Sequence, residues 1–297
     1  MILTLYNNQK TKKMKKKILL PTDFSKNSWN AVTYALKLYA DDECDFYLLN
    51  AFNATGYLIE SMMIPEPGEP KYEDAKLKSE QGLSKLMDMI KFRDDENPKH
   101  NFYTISNYNN PLGAIEHIVE KKDIEMIVMG TKGETSSNKV FFGSHAIDVM
   151  EKIRNCPVLV IPENVVFKPL KEIVFPTSYK THFKRRELIH LIDLTKKFNA
   201  SIRILHISEE DELDKNQEER RKMLEEYFEG FSFSFHTLTN IKVQTAINCF
   251  VESRNSDLVA FINKKHAFFG SLITKPLVKS IGYQSDVPIL VMHDLRN

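Results

Sequence analysis

Four residues near the middle of the chain have the types and the spacing of a ligand-binding loop. They are Gly130, Gly133, Gly143 and Ser144 in the segment GTKGETSSNKVFFGS, which has the spacing G-x2-G-x9-G-S. The chain has only 10 glycines in 297 residues, so such a cluster is informative. Glycine lets the backbone approach a ligand closely. Gly143 and Ser144 would offer free N–H groups at the positive end of a helix dipole, which suits phosphate, and Lys132 would add positive charge.

Residues from two other segments are expected at the same place. Pro21 ends the first predicted strand, Thr22 and Asp23 follow it, and Ala51 ends the second strand. Ligands of open α/β sheets lie outside the carboxyl ends of the strands. Asp23 is therefore expected to accept a hydrogen bond from a ribose or a base, and Ala51 to leave room for a flat base.

Simpler interpretations of the same residues stay open at this point. Gly130 would then only turn the chain, Asp23 would cap the first helix, and Ser144 would cap the fourth helix. The loop contains one carboxylate, Glu134, that could position water for slow hydrolysis of a bound nucleotide.

The elements that must position these residues alternate between strand and helix. Short apolar runs ended by turn residues indicate buried strands, and the 3.6-residue periodicity between them indicates helices. Ser28 is expected to cap the first helix, and Asn110-Pro111 to begin the third. Strands that are too far apart for hairpins predict a parallel sheet with right-handed crossover helices. In the first half the predicted strands are 18–21, 46–51, 101–105, 126–129 and 158–161.

The chain repeats this pattern. KKILLPTDFS at 16–25 returns as KEIVFPTSYK at 171–180, CPVLVIP at 156–162 as VPILVMH at 287–293, and FFGS at 141–144 again at 268–271. The second copy predicts helices at 183–198, 209–229 and 272–281, and an alternating edge strand at 231–237. The predicted division is a disordered basic tail at 1–13, domains at 14–163 and 171–297, and a linker at 164–170. The pattern is also consistent with translation starting at Met14.

PTDFS after the first strand and G-x2-G-x9-G-S after the fourth resemble the universal stress protein family, in its ATP-binding subclass. The resemblance covers both copies and implies two tandem α/β domains, each a doubly wound, Rossmann-like five-stranded parallel sheet with strand order 3-2-1-4-5. It implies binding of ATP, with or without Mg²⁺, in a nucleotide-dependent stress-response role. His145-Ala146 departs from the family, which often has a small residue followed by Ser or Thr. The candidate binding residues are Pro21, Thr22, Asp23, Ala51, Met129, Gly130, Lys132, Gly133, Gly143, Ser144, His145 and Ala146.

The second copy has lost parts of this motif. Ser178 stands at the position of Asp23, and Phe261-Ile262-Asn263 replaces the glycine that ends the fourth strand. One nucleotide per chain is therefore predicted, in the first copy.

The fifth strands of the two copies, 158–161 and 289–292, are apolar, and we expect them to pair with each other, as in dimers of the family.

Composition and charge argue against several other classes of function. The net charge is +1, so no nucleic-acid or anionic membrane partner is expected, and no apolar run approaches the roughly 18 residues of a membrane span. Three scattered cysteines favour a reducing cytoplasm. Besides nucleotide-dependent regulation of a protein partner, the alternatives are a structural dimerisation module and a slow ATPase. A homodimer is compatible with each of these functions.

Overall fold

The computed structural model describes residues 15–53, 65–93, 97–131, 143–208, 212–263 and 287–293. The tail at 1–13, Lys132, Gly133 and the predicted helix at 272–281 lie outside these residues. The first half, up to the fifth strand, comprises β1 (Lys16–Pro21), α1 (Lys26–Leu38), β2 (Cys44–Phe52), α2 (Pro70–Arg93), β3 (His100–Tyr108), α3 (Pro111–Lys122), β4 (Met126–Gly130), α4 (Ser144–Lys152) and β5 (Val158–Ile161).

The second half repeats the same order of elements. It comprises β6 (Glu172–Thr177), a 3₁₀ turn (Arg185–Leu188), α5 (Ile189–Phe198), β7 (Ser201–Ser208), α6 (Lys215–Tyr227), β8 (Phe233–Thr239), α7 (Val243–Arg254), β9 (Leu258–Asn263) and β10 (Ile289–His293).

All ten of these strands form one sheet, in the order β3-β2-β1-β4-β5-β10-β9-β6-β7-β8. Each half has the predicted order 3-2-1-4-5, and the strands within each half are parallel. The halves join where β5 and β10 pair antiparallel, with Leu159 opposite Leu290. This confirms the predicted fold class and the predicted pairing of the two fifth strands. As the alternating pattern predicted, β8 is an edge strand.

The two faces of the sheet are packed differently. On the face covered by α1, α2, α5 and α6, one hydrophobic cluster runs through both halves and includes Leu159 and Leu290. On the opposite face the core is divided into a first-half cluster, to which β10 contributes, and a separate second-half cluster. The described helices include none that is both long enough and apolar enough to cross a membrane.

Some boundaries differ from the sequence prediction for local reasons. The N-cap of α1 is Ser25, not Ser28, because the Ser25 side chain accepts a hydrogen bond from the Ser28 amide. The helix predicted from residue 183 begins instead as a 3₁₀ turn at Arg185, where the Glu187 carboxylate accepts from the Lys184 amide at 3.1 Å. The predicted cap Asn110 is confirmed, since its side chain accepts from the Gly113 amide at 2.9 Å.

Candidate functional site

A cavity of about 160 Å³ opens at the carboxyl ends of β1, β2 and β4, beside the N-termini of α3 and α4. Parallel strands all end at this edge, so residues from segments far apart in sequence meet there. Ten of the twelve predicted site residues line the cavity: Pro21, Thr22, Asp23, Ala51, Met129, Gly130, Gly143, Ser144, His145 and Ala146.

The turn after β1 is held by hydrogen bonds of its own side chains. The Thr22 hydroxyl accepts from the Phe24 amide at 3.0 Å and lies 3.0 Å from the Ser28 hydroxyl. The Asp23 carboxylate accepts from the Ser25 amide at 3.1 Å, so Asp23 forms a turn just before the helix and is not its N-cap. Phe24 adopts the left-handed conformation, with φ of 64°. The turn therefore presents Asp23 at the cavity while Thr22 is largely committed to shaping the loop.

A neighbouring side chain explains why residue 130 is a glycine. A Cβ atom on this residue would lie 2.8 Å from the Cγ and Oδ1 atoms of the Asn27 side chain, which is buried. Asn27 in turn donates to the Thr131 hydroxyl at 3.3 Å. The close neighbour of Gly130 in this structure is thus a side chain of α1.

The N-terminus of α4 faces the cavity, but one of its donors is already used. The Gly143 N–H, expected to be free, donates to the Thr131 carbonyl at 2.7 Å. Gly143 is the N-cap, and no side chain caps the helix, so the alternative in which Ser144 is the cap is wrong. The first-turn amides of Ser144, His145 and Ala146 precede the first amide that can bond within the helix. They form the anion-attracting end of the cavity.

Sequence reasoning missed five residues that also line the cavity. Leu49, Pro111 and Ile115 add apolar surface, and Ser28 and Thr131 add hydroxyl groups. Three of them carried a usable signal: Leu49 lies two residues before Ala51 on the same face of β2, Ile115 lies one turn after Pro111, and Thr131 follows Gly130 directly. The cavity thus has an apolar part between β2, β4 and α3, and a polar part between Asp23 and α4.

A family model described as the Universal stress protein family matches residues 14–162, half of the chain. This chain belongs to the universal stress protein family. A universal stress protein of Methanocaldococcus jannaschii is 31% identical to it over 159 residues, which cover 53% of this chain and 85% of the relative. The family consists of stress-response proteins, and the match lies on the half that contains the cavity.

Solved structures similar to this universal stress protein cover both of its halves. A universal stress protein from Archaeoglobus fulgidus has a TM-score of 0.68 at 21% identity, covering 93% of this chain and 95% of that chain. A putative universal stress protein from Pseudomonas aeruginosa has a TM-score of 0.59 at 10% identity, covering 94% and 93%. At these identities the likeness supports the shared fold.

The second half of this universal stress protein builds the same turn with different chemistry. Thr177 accepts from the Tyr179 amide at 3.1 Å, Ser178 accepts from the Lys180 amide at 3.3 Å, and Tyr179 has a left-handed φ of 54°. Each contact has its counterpart at Thr22, Asp23 and Phe24. A serine hydroxyl is therefore sufficient for the turn, and the turn does not explain the carboxylate of Asp23.

The second-half turn is covered by the side chains of His206, Gln217 and Arg220. Tyr179 is buried and stacks on His206, with ring centroids 4.8 Å apart, whereas the equivalent Phe24 is exposed. Burial lowers the pKa of His206, whose ring bonds to the Thr177 carbonyl. From α6, Gln217 donates to the Ser178 carbonyl and Arg220 to the Tyr179 carbonyl, at 3.0 and 2.8 Å.

The position that corresponds to Ala51 is also filled in the second half. Pro176 pairs with Leu205 as Pro21 pairs with Leu49, which places Ile207 at the position of Ala51. Ile207 is buried in the second-half core. In the second half, a large side chain thus occupies the space beside β6 that corresponds to the space left open by Ala51 beside β1.

Proposed function

We propose that this universal stress protein binds one adenine nucleotide, ATP, in the first half of the chain, and that occupancy regulates its association with a protein partner. One observation carries the proposal: a single cavity combines an apolar part, the Asp23 carboxylate and the uncapped N-terminus of α4. These three features match the base, the ribose and the phosphates of a nucleotide.

The residues present fit this ligand. Ala51, Leu49 and Met129 would contact the base, Asp23 would accept a hydrogen bond from the ribose or the base, and the first-turn amides of α4 would face the phosphates. The described residues contain no group of three or more His, Cys, Asp or Glu side chains that could hold a metal. We propose that Mg²⁺ would enter with the phosphates, since Mg²⁺ is commonly bound through substrate phosphates and one or two carboxylates.

We propose a stoichiometry of one nucleotide per chain. The second half has Ser178 for Asp23 and Ile207 for Ala51, and side chains from α6 bond to its turn. A cytoplasmic location and a homodimer are further proposals. Hydrolysis of ATP is a distinct proposal that no contact among the described residues favours, because Glu134 lies outside them.

The second half supplies the test, because it shows which side chains the fold accepts at the site. We expect Ala51→Ile to abolish ATP binding in calorimetric titration while leaving the thermal midpoint nearly unchanged, since Ile207 occupies the same register position. Ala51→Ser is the matched control and should retain binding. Wild-type protein should give a stoichiometry near one.

Asp23→Ser tests the polar end of the site in the same way. Ser178 makes the equivalent turn, so the variant should fold normally and lose roughly tenfold to a hundredfold in ATP affinity, the size of one hydrogen bond to a charged group. A stoichiometry near two, or full affinity in both Ala51→Ile and Asp23→Ser, would contradict the proposal.

A further inference from the structure

A side chain from the second half caps the helix whose other end lines the cavity. Asn263, the last residue of β9, donates from its amide nitrogen to the Met150 carbonyl in α4 at 3.1 Å. In return, Arg154, just after α4, donates to the Asn263 carbonyl at 2.7 Å. Asn263 is 3% exposed, so its hydrogen bond to Met150 is buried between the two halves, and the hydrogen bond from Arg154 is partly buried.

The Met150 carbonyl needs such a partner. The last four carbonyl groups of an α-helix have no partner within the helix, and Met150 is among them because α4 ends at Lys152. Ile153 donates to the Val149 carbonyl, and Asn263 donates to the next carbonyl along. One carbonyl group at the C-terminal end of α4 thus has as its partner a residue more than a hundred positions away in the chain.

This cap matters because α4 is short. A helix of nine residues is marginal by itself and depends on tertiary contacts for its order. Its buried residues Ala146, Val149 and Met150 set its position against the sheet. At the other end, Ser144, His145 and Ala146 line the cavity. A contact that holds the C-terminal turn therefore also holds the amides that point to the cavity.

We propose that Asn263 is a positioning residue for the phosphate-binding end of the cavity, so that the second half completes a site whose described lining residues belong to the first half. The inference rests on the proposed function for its ligand, but the contact itself is a property of the ligand-free protein. It also gives the second half a role that does not require a second nucleotide.

The first measurement is amide hydrogen exchange in the ligand-free full chain, which does not depend on any nucleotide. Asn263→Ala should raise the exchange rate of the amides of α4 by about tenfold, the size expected when one buried hydrogen bond is lost. Asn263→Asp, which removes the donor and keeps the size, should have the same effect.

Lys197→Met is the matched control. Lys197 is also a second-half side chain that bonds to the last turn of a first-half helix, since it donates to the Leu38 carbonyl of α1 at 2.6 Å and pairs with Asp42. This variant removes a contact between the halves without touching α4, and exchange in α4 should stay at the wild-type rate.

The second measurement compares ATP with adenosine, which has no phosphates. Asn263→Ala should weaken ATP binding by about three- to tenfold and leave adenosine affinity unchanged, because Asp23 and Ala51 are not held by α4. A purely structural loss would weaken both ligands equally. Unchanged exchange in α4, or equal losses for ATP and adenosine, would overturn the inference. If wild-type protein binds neither ligand, the proposed function fails, and exchange in α4 still decides the role of Asn263.

Discussion

At the scale of single residues, the same residue type can serve the fold or the ligand, and contacts decide which. Gly130 was expected to allow a ligand close to the backbone, yet its Cβ position is taken by Asn27. Asp23 was open to interpretation as a helix cap, yet Ser25 has that role and Ser178 makes the same turn without a carboxylate. The case for a ligand is therefore stronger at Asp23 than at Gly130.

The contact between Gly130 and Asn27 predicts the cost of adding a methyl group. Gly130→Ala should lower the free energy of unfolding by about 1–3 kcal/mol, because the new Cβ would lie 2.8 Å from a buried side chain that has little room to move. Chemical denaturation measures this loss. In an Asn27→Ala background the cost of Gly130→Ala should fall by about 1 kcal/mol. Equal costs in the two backgrounds would show that another neighbour is responsible.

Glu172 predicts how stability depends on pH. Burial by itself would raise the pKa of this carboxyl group, but hydrogen bonds from Arg254, Arg203 and Ser256, all between 2.7 and 2.9 Å, outweigh it and lower the pKa to about 2. The folded state thus binds the Glu172 proton more weakly than the unfolded state does. This contribution to stability is present above the unfolded pKa of 4.5 and is lost as pH falls from there towards 2.

We expect Glu172→Gln to lower the free energy of unfolding by about 2–3 kcal/mol at pH 7, and by much less at pH 3. Denaturation midpoints measured across this range would show the wild-type and variant curves converging on the acid side. Glu226→Gln, on the exposed face of α6, is the control and should give the wild-type denaturation midpoint at every pH. A constant difference between wild type and Glu172→Gln at all pH values would argue against an ionised Glu172.

At the scale of elements, helix ends set the geometry of the cavity. α3 begins at Pro111 under a side-chain cap, and α4 begins at Ser144, after the N-cap Gly143, without one. α1 begins after a turn made by Asp23. The end that lacks a side-chain cap is the end whose amides face the cavity. Helices α3 and α4 therefore contribute to the site in different ways: α3 gives a fixed apolar wall and α4 gives donors.

The cap of α3 can be tested directly. Asn110→Ala should lower the free energy of unfolding by about 1 kcal/mol, because the Gly113 amide loses its side-chain acceptor. Asn110→Asp keeps an acceptor at the same position and should restore most of the loss. Thermal melts of the three proteins measure both effects. If the alanine and aspartate variants are equally destabilised, the packing of Asn110 matters more than its cap.

At the scale of the molecule, the two halves share one sheet and one continuous core on the α1 and α5 side. Phe167, between the halves, lies edge-on to Tyr34 of α1 and 6.0 Å from the ring centroid of Phe198 in α5. We therefore expect the chain to unfold in one cooperative transition. The division into separate domains at 164–170 stays a prediction.

The pairing of β5 with β10 predicts the effect of a charge at the junction. Val160 and Leu290 are fully buried, so Val160→Lys or Leu290→Lys would bury an unpaired ammonium group and should cost several kcal/mol. Loss of the cooperative transition, or separation of the halves followed by proteolysis near 164–170, is the expected result. Val166→Lys is the control, because Val166 is 69% exposed. Unchanged midpoints in both Val160→Lys and Leu290→Lys would refute a shared core.

The strand order 3-2-1-4-5 was implied by the resemblance to the universal stress protein family. The sequence by itself determined the alternation of strands and helices, the repeat and the edge of the sheet at which the motif lies. These follow from local signals: apolar runs, helical periodicity and turn residues act over a few positions, and parallel strands bring their carboxyl ends to one edge. The same reasoning predicted the pairing of β5 with β10, because two apolar edge strands need cover. Together with the family resemblance, it also named ten of the residues that line the cavity.

Only the tertiary structure decided which hydrogen-bonding groups around the site already have partners and which spaces beside it are filled by other side chains. Asn27 fills the space beside Gly130, the Thr131 carbonyl takes the Gly143 amide, and Asn263 caps α4 from the other half. Each contact joins residues that are distant in sequence or separated by a loop, with no periodicity to connect them. Their geometry depends on how helices dock on the finished sheet, and docking is set by the packing of the whole core, which no local pattern encodes.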